Sequence, residues 1–229
     1  MNKYGKGKSL MNNDTSDLIK KRREEIIDAC GDLYQTMDFA DITLKEISKA
    51  TSFSRPTIYN YFKSREEIFL ALMTKEYERW NIELSSILSD NDKLTKEQLA
   101  DRLAKSLENR SLLLKLMSIG RIAMEGSRRK ELLEFFINGF REAFSLMSEI
   151  VGKFCTWMPH PEDERFVLTL FSLMPGINSY AGISVEQKAV MDLLGAEFID
   201  QTVYSFAYNF ILDLLRGSDM SINNDLAGE

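Results

Sequence analysis

The stretch Thr43-Leu44-Lys45-Glu46-Ile47-Ser48-Lys49-Ala50-Thr51-Ser52-Phe53-Ser54-Arg55-Pro56-Thr57-Ile58-Tyr59-Asn60-Tyr61-Phe62-Lys63 contains two helix starts in quick succession. Thr43 and Glu46 have capping-box spacing, in which hydroxyl and carboxylate satisfy orphan amides reciprocally. The helix that follows runs to about Ala50, because Thr51-Ser52-Phe53-Ser54 is a poor helical stretch and Ser54 is a plausible N-cap. Pro56 then falls in a first turn, where a missing N–H costs nothing, and a third helix is predicted from Arg55 to Phe62. Two short helices joined by three or four residues have helix-turn-helix spacing.

Upstream, Ile19, Ile26, Cys30, Leu33 and Met37 recur at helical intervals from Ser16, predicting an amphipathic first helix that ends near Asp38. Met1 to Asn13 is poor in apolar residues and reads as a disordered basic arm, a solvated tail in preference to one whose Lys3, Lys6 and Lys8 track phosphates. Downstream, Ser64-Arg65-Glu66-Glu67 is another capping box opening a long helix through Trp80 toward Leu88. Thr95 with Gln98 restarts a helix, Leu112 to Ile119 gives another, and Ser127 is read as the cap of a helix striped by Leu133, Phe136, Phe140, Phe144, Met147, Ile150 and Phe154. Pro161 opens the next. About Leu193 to Arg216 is read as one helix, apolar on two faces: Ile199, Val203, Phe206, Phe210 and Leu214 on one, Tyr204, Ala207, Tyr208, Ile211 and Leu215 on the other. Such a helix must bury both sides: either it is central to its own domain or one face meets a second subunit, and the dimer seam is the favoured reading.

The 229 residues hold only 4 Pro and 12 Gly and no alternating β-branched runs, so the fold class is all-α. The net charge of −6 argues against a protein coated in basic surface. Its distribution differs: residues 1–67 hold 12 Lys/Arg against 11 Asp/Glu, whereas Lys45 to Arg65 holds five bases and one acid. That +4 segment is what a polyanion would meet.

Cys30 and Cys155 lie in apolar helical patterns and read as buried hydrophobes. His160 is the sole histidine, and no phosphate loop, metal cluster or nucleophile–base pair accompanies it, so no enzyme, cofactor or metal site is expected. Without a leader or an 18-residue apolar run, a cytoplasmic location is expected.

The run Thr43-Leu44-Lys45-Glu46-Ile47-Ser48 with Ser54-Arg55-Pro56-Thr57-Ile58-Tyr59-Asn60-Tyr61-Phe62-Lys63-Ser64-Arg65-Glu66-Glu67 resembles the DNA-binding domain of the tetracycline repressor (TetR) family, over about residues 17 to 70. The resemblance implies that Thr43, Ser54, Arg55, Thr57, Tyr59, Asn60 and Tyr61 contact operator phosphates or bases and that Arg65 reaches the backbone. Lys63 is added as a donor on the same helix. Asp38 and Ser52 stand where the family often has Gly, and Pro56 where it often has a small residue. Ser52 is thus the weakest point of the turn. The division implied is a basic arm at 1–15, a helix-turn-helix domain at 16–64, a helical effector-binding and dimerisation domain at 65–217, and a flexible tail at 218–229.

The expected function is a ligand-responsive homodimeric repressor, released from a palindromic operator by an apolar or amphipathic small molecule. The alternative is a helical protein–protein adaptor that has lost DNA binding. Candidate effector contacts are Trp80, Met117, Met124, Phe136, Phe140, Phe144 and Phe171, from a region also holding Trp157. Candidate dimer contacts are Phe166, Leu170, Leu173, Val203, Phe206, Phe210 and Leu214.

Overall fold

A computed structural model describes residues 6–181, 185–195 and 201–226; side chains are described over 16–181, 186–195 and 201–217. The described residues form α-helices joined by turns: α1 Lys6–Thr36, α2 Leu44–Lys49, α3 Arg55–Tyr59, α4 Arg65–Ser89, α5 Lys96–Glu108, α6 Ser111–Met117, α7 Gly120–Gly126, α8 Lys130–Phe154, α9 Glu162–Tyr180, α10 Val185–Leu194 and α11 Val203–Leu226. The chain divides into two compact units, one of residues 1–72 and 121–133, the other of 73–120 and 134–229.

In the first unit, Ile26, Cys30, Ile42, Ile47, Ile58, Phe62, Ile68 and Phe69 have no exposed surface. Tyr34 and Phe39 set their rings edge-on to Phe69 at centroid distances of 5.1 and 4.8 Å. The inner stripe of α1 is Ile26, Ile27, Cys30 and Tyr34, whereas Ile19, expected on it, is 47% exposed. Two boundaries differ from expectation. Helix α1 starts at Lys6, ten residues before Ser16, and α3 closes at Tyr59, after which the Asn60 and Tyr61 amides donate to Thr57 and Ile58 carbonyls in tight turns.

In the second unit, α11 packs on α5 and α9, and α6 packs on α9. Thr95 forms a full capping box: Gln98 N donates to Thr95 Oγ1 at 3.2 Å and Thr95 N donates to Gln98 Oε1 at 2.9 Å. Ser127 does not cap α8. The helix begins at Lys130, and Ser127 Oγ is buried without a hydrogen-bond partner, its amide instead closing α7 by donating to Ala123 O. The single helix expected from Leu193 to Arg216 is two: α10 ends at Leu194 before Gly195 at φ +62°, and α11 begins after Thr202, whose hydroxyl accepts the Ser205 amide. Ile199, assigned to its outer face, lies outside the described residues. Helix α11 also continues to Leu226, through most of the expected tail.

Both cysteines are free and buried, and desolvation pushes their thiols up to about 12 for Cys30 and about 11 for Cys155. They are protonated hydrophobes at neutral pH.

Candidate nucleic-acid interface

Helix α3 divides its side chains by physical type. Ile58 and, just past the helix, Phe62 are wholly buried, while Ser54, Arg55, Pro56, Tyr59 and Asn60 are exposed. Thr57 and Tyr61 are half-buried. The anchored face fixes the helix, and the opposite face presents hydroxyl, guanidinium, phenol and amide groups to solvent, the donor set that phosphates and base edges require.

Local caps set the geometry. Thr43 Oγ1 accepts the Glu46 amide at 3.3 Å; the Glu46 carboxylate reaches Lys49 Nζ at 3.0 Å instead of returning to the Thr43 amide. Ser54 stands at the N-cap of α3, but its hydroxyl meets Thr57 Oγ1 at 2.9 Å instead of a backbone amide. Arg55 Nη2 donates to Tyr59 Oη at 3.2 Å, so the two most exposed donors of α3 are paired four residues apart. Lys63 Nζ donates to Tyr59 O at 2.7 Å, closing α3. A concave groove of about 430 Å³ is lined by Thr43, Lys45, Arg55, Tyr59 and Arg65 among others.

The turn needs no glycine. Among the described residues no non-glycine has positive φ, so neither Asp38 nor Ser52 adopts the left-handed backbone that would favour one. Ser52 is held from α1, its amide donating to Glu25 Oε1 at 2.7 Å. That backbone hydrogen bond, joined by one from the Ser52 hydroxyl, holds the Glu25 carboxyl below the ordinary carboxylate range.

Arg65 is turned inward. Its Nη1 donates to the carbonyls of Phe39, Ala40 and Ile42 at 2.9, 3.0 and 3.0 Å, its Nε pairs with Glu66 Oε1 at 2.9 Å, and its guanidinium lies 4.4 Å from the Phe39 ring centroid. The resemblance implies that Arg65 reaches the DNA backbone; its Nη1 donor holds the α1–α2 connection, while the side chain also lines the groove beside Thr43, Arg55 and Tyr59.

The arginines around Tyr61 escaped the motif reading. Arg22 Nη1 donates to Tyr61 Oη at 3.3 Å, while Arg23 Nη1 and Arg129 Nη2 both donate to Tyr61 O, at 3.4 and 3.0 Å. Burial first and repulsion from Arg129 second hold Arg23 below its ordinary value. Glu67, 3% exposed, lies beside them, accepting the Lys63 amide at 2.7 Å and pairing with Arg129 at 3.2 Å. Sequence periodicity registers a helix face; it cannot register a partner 68 positions away.

Residues 26–72 match the bacterial regulatory proteins of the tetR family, and residues 74–207 match the tetracyclin repressor-like C-terminal domain. The chain belongs to the TetR family. An uncharacterized HTH-type transcriptional regulator of Mycobacterium tuberculosis is 36% identical over 80 residues, 33% of this chain and 40% of that protein. The chain thus matches about two fifths of the length of that curated relative. Solved TetR-like structures agree in fold across most of the chain. A transcriptional regulator from a Rhodococcus species gives a TM-score of 0.60 at 15% identity, covering 85% of this chain and 96% of that one. The regulator FadR from Bacillus subtilis, solved in complex with stearoyl-CoA, gives 0.54 at 16% identity, covering 84% and 96%.

In the C-terminal part of this TetR member, five of the seven effector candidates share one aromatic cluster. Phe171 lies 5.7, 5.6 and 5.4 Å from Trp80, Phe140 and Phe144, and Tyr77, missed by the sequence reading, bridges Phe136 and Phe140 at 5.9 and 5.8 Å. Trp80, Tyr77 and Phe136 are buried, and Trp80 Nε1 donates to the buried Ser106 hydroxyl at 3.1 Å. Met117 ends α6, half-buried, and Met124 belongs to the first unit. Trp157, half-buried, faces Lys96 Nζ at 3.8 Å from its ring centroid.

Two dimer candidates are corrected. Phe166 and Leu170 are 3% and 1% exposed within their own subunit, because α9 turns that stripe inward to its own core. Its outer face carries Leu168, Leu173 and Tyr180, at 55, 48 and 64% exposure. On α11 the face Ala207, Ile211, Leu215 is buried, and Val203, Phe206, Phe210 and Leu214 remain half-buried. Among the described residues no helix is long and apolar enough to cross a membrane, and no group of three or more acidic, His or Cys side chains is placed to hold a metal ion.

Proposed function

We propose that this chain is a homodimeric repressor whose α3 enters the major groove of a palindromic operator and whose C-terminal part releases it on binding an apolar or amphipathic effector. The observation that carries the reading is the division of α3, with Ile58 and Phe62 buried and Arg55, Pro56, Tyr59 and Asn60 presented outward. Thr43, Lys45 and Lys63, all exposed, flank that surface and supply phosphate contacts. Ser54, Thr57 and Tyr61 complete the contact set. The working division is a reading head within 16–64 and an effector and dimer part within 65–217, in the bacterial cytoplasm.

Two copies give two heads, as a palindrome requires, and the half-covered face of α11 with Leu173 of α9 supports a seam between them. The aromatic cluster around Phe171 supports an effector with a hydrophobic body, and the FadR–stearoyl-CoA complex, on the same fold, makes acyl-CoA thioesters the first class to try. Release would be a shift of population toward a head spacing that no longer matches successive major grooves.

Fluorescence anisotropy with duplexes tiling the DNA upstream of the chain's own gene tests the reading. Binding should weaken as salt rises, and Arg55→Ala and Tyr59→Ala should each weaken it further. Binding that ignores salt, or that neither substitution changes, would overturn it, and no binding to any duplex would favour a protein-binding adaptor.

A further inference from the structure

We propose that Arg129, outside the helix-turn-helix sequence, is a positioning residue of the reading head, bracing the end of α3 through Tyr61 and Glu67. The inference rests on the DNA-binding reading above. Tyr61 follows the C-cap of α3, and Glu67 lies in the first turn of α4, so the segment between them sets the direction in which α3 leaves the body of the unit. A single nitrogen of Arg129 spans both ends: Nη2 donates to Tyr61 O at 3.0 Å and forms an ion pair with Glu67 Oε2 at 3.2 Å.

Glu67 makes the contact obligatory. Its side chain is 4% exposed and the same Oε2 accepts the Lys63 amide at 2.7 Å. A neutral amide does not compensate a buried carboxylate, and the guanidinium does. The carboxylate in turn lets Arg23 and Arg129 share the Tyr61 carbonyl despite their like charge. The segment carrying Arg129 lies against α4, because a Cβ at Gly126 would overlap Glu66 Cγ and come within 2.9 Å of Glu66 Cβ. Arg128 and Lys130 on either side are exposed, whereas Arg129 is drawn in.

A brace and a phosphate contact leave different signatures. In anisotropy titrations of the full chain at several salt concentrations, Arg129→Ala should raise Kd about tenfold, the loss of one charged hydrogen bond, with an unchanged slope of log Kd against log salt. Arg55→Ala should flatten that slope by about one. Arg129→Lys, which keeps the charge, should recover part of the loss. In the free protein, amide exchange over residues 59–66 should quicken in Arg129→Ala while α5 and α11 exchange as before. If the stranded Glu67 charge unfolds that variant, Arg129→Ala/Glu67→Gln removes it and is read by the same criteria. Wild-type affinity in these variants, unchanged exchange over 59–66, or a slope lowered by about one would each overturn the proposal. Failure of the wild-type chain to bind any upstream duplex would overturn the function proposed above, and amide exchange in the free protein would still decide the brace.

Discussion

Replacing Arg65 by alanine should destabilise the first unit by about 3 kcal/mol. Arg65 Nη1 carries two hydrogens shared among three carbonyls at 2.9–3.0 Å, the equivalent of two hydrogen bonds from a charged donor. Each is worth ~1.5–3 kcal/mol when its partner cannot be rehydrated. The Arg65 side chain is 27% exposed and Ala40 is exposed, so water replaces part of what is lost and roughly half of the summed value survives. The guanidinium over the Phe39 ring at 4.4 Å restores about 0.5–1 kcal/mol of that discount. The neighbouring pair with Glu66 is partly exposed and adds little. In a chain of this size 1 kcal/mol moves a transition by ~2–4 °C, so the melting transition should fall by about 6–12 °C. Circular dichroism and scanning calorimetry read this directly. Arg65→Lys should recover less than half, because one ammonium cannot copy the planar fork. A melting point within about 1 °C of wild type, together with a DNA salt slope lowered by one, would show that Arg65 serves DNA and refute the inward assignment.

Three further outcomes follow from the same geometry. Glu25 has its carboxyl depressed by the Ser52 amide, so its stabilisation of the turn is full above about pH 5 and is lost as pH falls through its depressed value below 4.5. Urea melts of wild type and Glu25→Gln should therefore differ at pH 7 and converge in acid; a constant difference would refute the link. Gly126→Ala should lower the melting temperature, the opposite of the stabilisation that a surface Gly→Ala change usually gives a helix, because its Cβ meets Glu66. Leu173→Asp, at a position 48% exposed in the single chain, should leave helicity unchanged and move the mass in light scattering from a dimer toward 26.4 kDa; an unchanged mass would place the seam elsewhere.

The all-α class, the places of α2 and α3, and the inward pair Ile58 and Phe62 were legible in the chain itself, because caps, proline position and a 3.6-residue period act within one or two turns. The exposed set Arg55, Tyr59 and Asn60 followed from the same period. Other readings needed the folded chain. A period marks Phe166 and Leu170 as inward-facing without telling whether they face their own subunit or a partner, and α9 resolves it by burying both. Gly195 breaks the presumed last helix by a φ of +62°, a conformational choice that an apolar count does not register.

Sequence alone therefore determined the places of α2 and α3 and which side of α3 is anchored, since those depend on neighbours within a few residues. Tertiary structure decided what holds the first unit together. Glu25 secures Ser52 from 27 positions away, Arg65 grips carbonyls 23 to 26 positions back, and Arg129 reaches Tyr61 across 68. The physical reason is that a long charged side chain finds its partner by proximity after collapse, and no local periodicity records that choice.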